Sequence, residues 1–227
     1  MDYRIRIRDV SKRFVSTFAL TKLSIALGLF LVLVVSFAYI AKQVYDGDTI
    51  TRDTEILLKI NSHSNSFLDT LSLVFTYTGN ILSVVIIGSL LSLWLYRQQR
   101  FQSIIQLFFS VGGAIVANAL LKLLFQRERP ELWQLITHES TYSFPSGHAL
   151  ITAALAATVV LIWWKSTHKW LIITVASLYM FFVGVSRLYL GVHYPTDVVA
   201  GWCMGVAWVI AVAVILRIMV VEHSKTT

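Results

Sequence analysis

Cysteine is almost absent from this chain: Cys203 is the only one among 227 residues, and it lies inside an apolar stretch. A single cysteine cannot form an intrachain disulfide, and it supplies no thiolate cluster for zinc or an iron–sulfur centre. We therefore interpret Cys203 as a small apolar packing residue.

Charged residues are also scarce, at 14% of the chain, and long apolar stretches separate them. Apolar residues make up 56% of the sequence, and the mean hydropathy is strongly positive. A soluble domain of this length cannot bury so much apolar surface, so lipid must cover part of it. No internal repeat or linker divides the chain, and we interpret residues 1–227 as one membrane-embedded domain.

Six apolar stretches approach the ~20 residues that a bilayer span needs. Their approximate limits are 20–41, 79–96, 101–125, 147–165, 169–189 and 196–218. The predicted fold is all-α, a polytopic bundle of six transmembrane helices. The first stretch is long for a secretory signal and no small-x-small site follows it, so we expect a retained anchor. The segment 42–78 has a mixed apolar and polar pattern that predicts short helices on the membrane surface.

Basic residues predict the orientation of these spans. Most of them lie in the arm 1–19, in the loops after the second and fourth stretches, and at the C-terminal end. With six spans these segments share one side, which the positive-inside rule assigns to the cytoplasm. We expect a plasma or inner membrane protein with both termini in the cytoplasm and the segment 42–78 outside. The basic arm is short, and the positive charge follows the topology of the spans, so no nucleic-acid partner is expected.

Several basic residues fall on the outer side against this pattern, and four of them lie near the ends of the later apolar stretches: Lys122, Arg127, Arg129 and Arg187. Lys122 lies near the end of the third apolar stretch, where an ammonium group is costly unless it faces the protein interior or an anion. Snorkelling of the side chain to the interface is the alternative.

A helix start is predicted at the segment Ser143–His148. Pro145, Ser146 and Gly147 favour the N-terminus of a helix, whose free N–H groups and dipole attract phosphate. Gly147 would let an anion approach the backbone closely. An ordinary Ser146 cap is the alternative, but it leaves His148 at the membrane edge unexplained.

The third segment contains Arg187, His193, Pro195 and Asp197. Pro195 suits the first turn of the last span, which puts Asp197 in that turn with His193 just before it. Asp197 could then accept a hydrogen bond from one ring nitrogen of His193 and leave the other nitrogen unprotonated toward a substrate. The alternative is a capping carboxylate beside an unrelated histidine.

All these side chains map to the outer ends of the last four spans, where two kinds of site are open. His148, His193 and Asp197, with His138 and Glu139 nearby, could bind a metal ion. The cations Lys122, Arg129 and Arg187 would repel a metal, whereas they would bind a phosphate dianion well. The charges therefore favour an anion site, with no metal or cofactor.

Three motifs in order resemble the signature of the type 2 phosphatidic acid phosphatases, a superfamily that includes vanadium haloperoxidases and bacterial acid phosphatases. They are Lys122-x6-Arg129-Pro130, Pro145-Ser146-Gly147-His148 and Ser186-Arg187-x5-His193-x3-Asp197. The match covers roughly residues 120–200 and shows no departure at these positions.

The resemblance implies a role for each matching residue. His193 would be the nucleophile that forms a phosphohistidine, Asp197 would orient it, and His148 would protonate the leaving alcohol. The implied phosphate-binding residues are Lys122, Arg129, Ser146, Gly147 and Arg187. Bacterial members of this shape act without metal on phosphatidylglycerol phosphate, phosphatidic acid or undecaprenyl diphosphate, and the compact loops look bacterial.

Hydrolysis of a lipid phosphate or diphosphate at the extracytoplasmic face is thus the leading hypothesis. A lipid-phosphate transporter or flippase would explain the cations but not the spacing of His193 and Asp197. A vanadate-dependent peroxidase is disfavoured by the membrane setting. The sequence does not specify the lipid. Four loop residues could contact its headgroup or could be solvated: Arg127, Glu131, His138 and Glu139.

Overall fold

The computed structural model describes residues 3–134 and 139–226, with side chains described within 23–134 and 139–217. This part of the chain is helical and contains no strand. Its helices are α1 (Tyr3–Tyr45), α2 (Ile50–Asn61), α3 (Ser66–Thr78), α4 (Ile81–Arg97), α5 (Phe101–Leu107), α6 (Gly113–Phe125), α7 (Gly147–Ile162), α8 (Lys169–Tyr189) and α9 (Pro195–Thr226). A π-helical turn, Phe108–Gly112, joins α5 to α6. The predicted all-α membrane bundle is confirmed.

Among the described residues, four apolar helical segments are long enough to cross a bilayer. They are Leu23–Tyr45, Phe101–Phe125, Lys169–Tyr189 and Pro195–Arg217. Helices α3 and α4 could form a fifth span together, although they are bent by 55°. Helix α7 is also apolar but has only 16 residues. The count of six spans therefore stays a prediction.

The segment 42–78 forms helices α2 and α3, as its pattern predicts, and α3 meets α4 at a bend. Asn80 begins α4, and its side-chain oxygen accepts a hydrogen bond from Ser83 N at 2.8 Å. Asn65 begins α3 in the same way, through Leu68 N at 3.0 Å. An Asn cap satisfies N–H groups that a helix start leaves without partners. The basic side chains of the arm 1–19 lie outside the described residues.

Helix α7 lies at the centre of the bundle, packed against α8 and α9. Nearly all of its residues from Ala149 to Thr158 are buried, which explains why it is apolar on every face. Two glycines of α9 allow close packing on α7. A Cβ on Gly201 would lie 2.8 Å from Ser146 O, and one on Gly205 would lie 2.4 Å from Leu150 O. The Gly-x3-Gly spacing typical of close membrane-helix contacts was the signal for this packing.

This close packing joins the first turns of two helices. Ser146, at the start of α7, donates its backbone N–H to the carbonyl oxygen of Asp197, in the first turn of α9, at 3.0 Å. The buried Phe144 ring packs beside them, 4.9 Å from the Phe125 ring and 5.9 Å from the Phe37 ring. We call the end of the bundle that contains these two helix starts the site end.

Candidate active site

The structure brings the residues of all three motifs together at the site end. Lys122 and Arg129 both contact the Thr141 hydroxyl, at 2.8 and 3.4 Å. Arg129 also contacts His193, which contacts Asp197. Arg187 and His148 lie near enough to this group for their charges to interact.

A tight turn delivers His193 to the site. Helix α8 ends at Tyr189, and Gly191 follows with φ of +71°, a left-handed conformation that favours glycine. A Cβ on Gly191 would also lie 2.5 Å from the Trp133 ring. Helix α9 then begins at Pro195, which sets His193 immediately before it and Asp197 in its first turn.

The two ring nitrogens of His193 have different partners. Nδ1 lies 3.3 Å from Asp197 Oδ2, and Nε2 lies 3.2 Å from Arg129 Nη1. Arginine only donates hydrogen bonds, so Nε2 is the acceptor and the ring proton is on Nδ1, facing the carboxylate. This tautomer leaves a lone pair on Nε2.

His193 is fully buried, and burial is the main reason that its pKa lies well below the ordinary value of 6.5. The positive charges of Arg129, Arg187 and Lys122 lower this pKa further. The ring is therefore neutral near pH 7, and its Nε2 lone pair faces Arg129.

Asp197 is fully buried and its carboxylate is completely hydrogen-bonded. Oδ2 accepts from the backbone N–H of Tyr194 at 2.9 Å and from the Ser143 hydroxyl. Oδ1 accepts from Arg127 Nη1 at 2.5 Å. These bonds hold the carboxylate in one orientation relative to His193.

Arg129 and Lys122 hold the loop that covers the site. Arg129 donates to Thr141 O at 2.7 Å and to Val192 O at 2.6 Å, and Lys122 donates to Tyr142 O at 2.6 Å. Both cations line an open cavity of about 1050 Å³. Its walls also include Ala119, Leu123, Arg127, Glu128, Glu131, Glu139, Ser140, Thr141 and Tyr142.

Arg187 is fully buried in the last turns of α8. It donates to the Thr76 hydroxyl at 3.1 Å and forms an ion pair with Glu139. Its Nε is buried with no hydrogen-bond partner among the described residues. An unpaired buried donor on a cation, close to two other cations, is what an anion site without its anion would contain.

Ser146 and Gly147 form the start of α7. The Ser146 side chain caps the helix by accepting from Ala149 N at 3.5 Å. A Cβ on Gly147 would lie 2.8 Å from Asn118 Oδ1, so packing against Asn118 explains why this residue is glycine. Asn118 also donates to Pro145 O at 3.2 Å, which fixes the helix start against α6.

His148 is half-buried, and no hydrogen bond to its ring occurs within the described ranges. Its Cδ2 atom lies 3.4 Å from the position that a Cβ on Gly79 would occupy, so the ring packs beside the bend between α3 and α4. The ring is therefore held by packing while its nitrogens are free for another partner.

Arg127 is a site residue whose role the sequence did not reveal. Its interpretation as a solvated residue is wrong, because the side chain is buried and paired with both Asp53 and Asp197. Glu131 is exposed, as a solvated loop residue would be, and Glu139 is the partner of Arg187. His138 lies outside the described residues.

The described part of the chain contains no set of side chains arranged to bind a metal ion. No group of three His, Cys, Asp or Glu side chains there is placed to hold one ion. Asp197, which the metal alternative requires, is already occupied by hydrogen bonds and by Arg127.

Two known proteins are similar to this chain in sequence. Over 127 residues the chain is 35% identical to phosphatidylglycerophosphatase B of Bacillus subtilis (strain 168), covering 54% of this chain and 60% of that protein. It is 36% identical over 110 residues to an undecaprenyl-diphosphatase of Sulfolobus acidocaldarius, covering 46% of this chain and 50% of that protein. The chain thus spans only about half to three fifths of the length of these two relatives.

The fold is similar to the crystal structure of a transmembrane PAP2-type phosphatidylglycerolphosphate phosphatase from Bacillus subtilis. The TM-score is 0.76 at 23% identity, and the match covers 82% of this chain and 94% of the other. The family model of the PAP2 superfamily matches residues 103–218, which include all three motifs and more than half of the chain. The chain therefore belongs to the PAP2 superfamily.

Proposed function

We propose that this protein hydrolyses a phosphate or diphosphate ester of a membrane lipid, without metal, through a phosphohistidine at His193. The observation that carries the proposal is the His193 ring, whose Nδ1 faces Asp197 at 3.3 Å while Nε2 accepts from Arg129 at 3.2 Å. Such a ring has one tautomer and one lone pair, and the lone pair points into a cluster of cations.

The phosphate would lie between the cations and the start of α7. Lys122, Arg129 and Arg187 supply positive charge, and the unpaired Nε of Arg187 supplies one ready donor. The N–H groups of Gly147 and of the residue after it belong to the first helical turn, where no helix carbonyl is available to them. These free N–H groups and the positive end of the helix dipole favour an anion at the start of α7.

In the first step, His193 Nε2 attacks phosphorus and the bond from phosphorus to the lipid oxygen breaks. His148 gives its proton to that oxygen, so the product leaves as a neutral alcohol, or as a lipid monophosphate when the substrate is a diphosphate. Asp197 keeps its hydrogen bond to Nδ1–H and stabilises the positive charge that the ring acquires. The bound dianion provides the counter-charge that a protonated His148 requires.

In the second step, water attacks the phosphohistidine. His148, now neutral, takes a proton from the water, and the bond from phosphorus to Nε2 breaks. Inorganic phosphate leaves, and His193 returns to its neutral state. The three cations stabilise the charge on the transferring phosphoryl group in both steps.

Lateral entry of the lipid is supported by the walls of the cavity. Lys122 and Arg129 lie on its polar side, while Leu123 is an exposed apolar residue of α6. A lipid could place its headgroup among the cations while its chains stay in the bilayer. The names of the relatives favour phosphatidylglycerol phosphate and undecaprenyl diphosphate as substrates. Phosphatidic acid is the third candidate, which the resemblance of the motifs implies.

The proposed orientation places the site end at the extracytoplasmic face and both termini in the cytoplasm. Its support is the distribution of Lys and Arg outside the motifs, which the positive-inside rule assigns to the cytoplasm. The membrane would be the plasma or inner membrane of a cell.

The test is release of inorganic phosphate by the purified full chain in mixed micelles with each of the three lipids. We expect turnover of at least one lipid, and loss of turnover in His193→Ala. A wild-type protein that binds these lipids but releases no phosphate would contradict the proposal and favour a transporter.

A further inference from the structure

Arg127 lies two residues before Arg129, but its side chain is bound in a different way. Nη1 donates to Asp197 Oδ1 at 2.5 Å and to Thr196 Oγ1 at 2.8 Å. Nη2 donates to Asp53 Oδ2 at 2.9 Å and to Thr49 Oγ1 at 3.0 Å. These bonds use all four terminal N–H groups of the guanidinium, and only the buried Nε–H has no partner among the described residues.

The flat face of the Arg127 guanidinium is covered as well. Its central carbon lies 4.1 Å from the centre of the Tyr194 ring. The backbone N–H of Tyr194 donates to Asp197 Oδ2 at 2.9 Å. Tyr194 therefore stacks on Arg127 and also donates a hydrogen bond to Asp197, the carboxylate that Arg127 binds.

Asp53 fixes the other side of Arg127. It lies on α2, far from the motifs in sequence, and only 2% of its surface is exposed. Oδ1 accepts from Thr196 N at 3.2 Å, and Oδ2 accepts from Thr196 Oγ1 at 2.5 Å. Asp53 thus attaches α2 to the first turn of α9, the same turn that contains Asp197.

We propose that Asp53 and Arg127 are positioning residues that clamp Asp197 and, through it, the tautomer and orientation of the His193 ring. The inference rests on the proposed function for its kinetic effect. Asp53 lies outside residues 103–218, which match the family model, so this chain's own N-terminal half completes the site. Arg129 and Arg187 meet the substrate in this scheme, whereas Arg127 does not.

Charge explains why the clamp needs both members. Asp53 and Asp197 are two buried carboxylates that share one guanidinium. Without Arg127 both would be buried beside each other with no cation between them. Without Asp53 the Arg127 fork loses one of its two carboxylate partners, and its grip on Asp197 is no longer fixed from the side of α2.

The experiment compares purified full-length variants for phosphate release on the lipid that the wild type turns over fastest. For Asp53→Asn and Arg127→Gln we expect kcat to fall about 10- to 100-fold, as for other losses of orientation. KM should stay within about twofold, because the cations that bind phosphate are intact. The double variant should lose little more than the worse single variant, since the two residues act as one unit.

Matched controls separate this effect from general damage. Asp69→Asn makes the same change on α3, where Asp69 accepts a hydrogen bond from the Tyr189 hydroxyl at 2.7 Å, away from Asp197. Its kcat should match the wild type. If Asp53→Asn does not fold, Thr196→Val is the milder variant, because it removes only the hydroxyl that lies between Asp53 and Arg127. In Thr196→Val we expect kcat to fall while KM is unchanged. Arg127→Lys should not rescue kcat, because a single ammonium cannot replace the fork.

A second measurement does not depend on turnover. In ¹⁵N-histidine spectra, with His193 assigned from the His193→Gln spectrum, the wild-type ring should be protonated at Nδ1 and bare at Nε2. Asp53→Asn, or Thr196→Val if the former does not fold, should give a mixture of tautomers. A folded variant with wild-type kcat and a wild-type ring spectrum would overturn the clamp. A wild type without phosphatase activity would overturn the proposed function, while the ring spectra would still decide the clamp.

Discussion

The two histidines of the site end are held in opposite ways. His193 is fully buried, and both ring nitrogens have partners, one in Asp197 and the other in Arg129. His148 is half-buried at the start of α7, and its ring has no hydrogen bond within the described ranges. The first ring has one tautomer and one orientation, whereas the second is held by packing and has no fixed hydrogen-bond partner.

This difference matches the two tasks of the proposed reaction. A nucleophile works best when its lone pair is aimed and its proton is fixed elsewhere. A general acid must lose its proton in one step and regain it in the next, so strong partners on both nitrogens would hinder it. The predictions below test whether the two histidines separate in this way.

The largest effect is expected for His193→Ala. Removing the nucleophile should lower kcat by roughly 10⁴-fold or more, as when a group of a catalytic unit is removed. The loss should be equally large for a lipid phosphate and for p-nitrophenyl phosphate, because both need the attack by Nε2. The measurement is phosphate release under saturating substrate. Wild-type turnover by the variant would contradict the role of His193 as the nucleophile.

His148→Ala should depend on the leaving group. With a lipid alcohol we expect kcat/KM, which reports the steps up to formation of the phosphohistidine, to fall about 10²- to 10⁴-fold, the usual contribution of a general acid. With p-nitrophenyl phosphate the loss in the first step should be much smaller, because p-nitrophenolate leaves without a proton. The ratio of the two losses, measured on one preparation, reports the role of His148. Equal losses on both substrates would mean that His148 acts in some other way.

The pH dependence of kcat/KM reports the free His193. Burial and the neighbouring cations hold its pKa well below 6.5, so the ring takes up a proton only at lower pH, and activity is lost as the pH falls through that lowered pKa. After correction for ionisation of the substrate, kcat/KM should not fall as the pH is lowered from 7.5 to 6.5. An acid limb with its midpoint at or above pH 6.5 would contradict this account of the ring.

Glu139 provides a smaller test. Its carboxylate pairs with Arg187, so it occupies a cation that the phosphate would use. In Glu139→Gln we expect inorganic phosphate to inhibit roughly two- to fivefold more strongly, the scale of one partly exposed ion pair. Glu131→Gln, at an exposed position of the same loop, is the control. Weaker inhibition in Glu139→Gln would show that Glu139 supports the anion site.

No effect at all is expected from chelation. The proposed steps use only side chains and water, so EDTA should leave phosphate release unchanged after dialysis. If EDTA abolishes activity and added divalent metal restores it, the result would favour the alternative in which His148 and His193 are metal ligands.

Much of the site could be predicted because its residues lie at helix ends. Pro195 and Ser146 mark helix starts by their own chemistry, so the spacing of His193 and Asp197 relative to them already defined a contact. The bend between α3 and α4 was not foreseen, because an apolar pattern reports burial and not direction. The short length of α7 was not predicted either, because the apolar pattern does not mark where the last turn of a helix ends.

The clamp on Asp197 could not be predicted from the sequence. Asp53 and Arg127 are separated by α3 to α6, and no spacing rule relates them. A buried ion pair between distant segments is set by the packing of α2 against α9, which only the three-dimensional structure reveals. Gly201 and Gly205 did carry a readable signal, because their spacing predicts the close contact with α7.

The most direct test of the central claim is to trap the covalent intermediate. Wild-type enzyme mixed with ³²P-labelled lipid phosphate and quenched in alkali, where phosphohistidine survives, should contain label on the peptide that includes His193. Labelling should persist or increase in His148→Ala, where hydrolysis of the intermediate is slowed, and should vanish in His193→Ala. Label absent from a wild type that turns over the lipid, or located on another residue, would contradict the account.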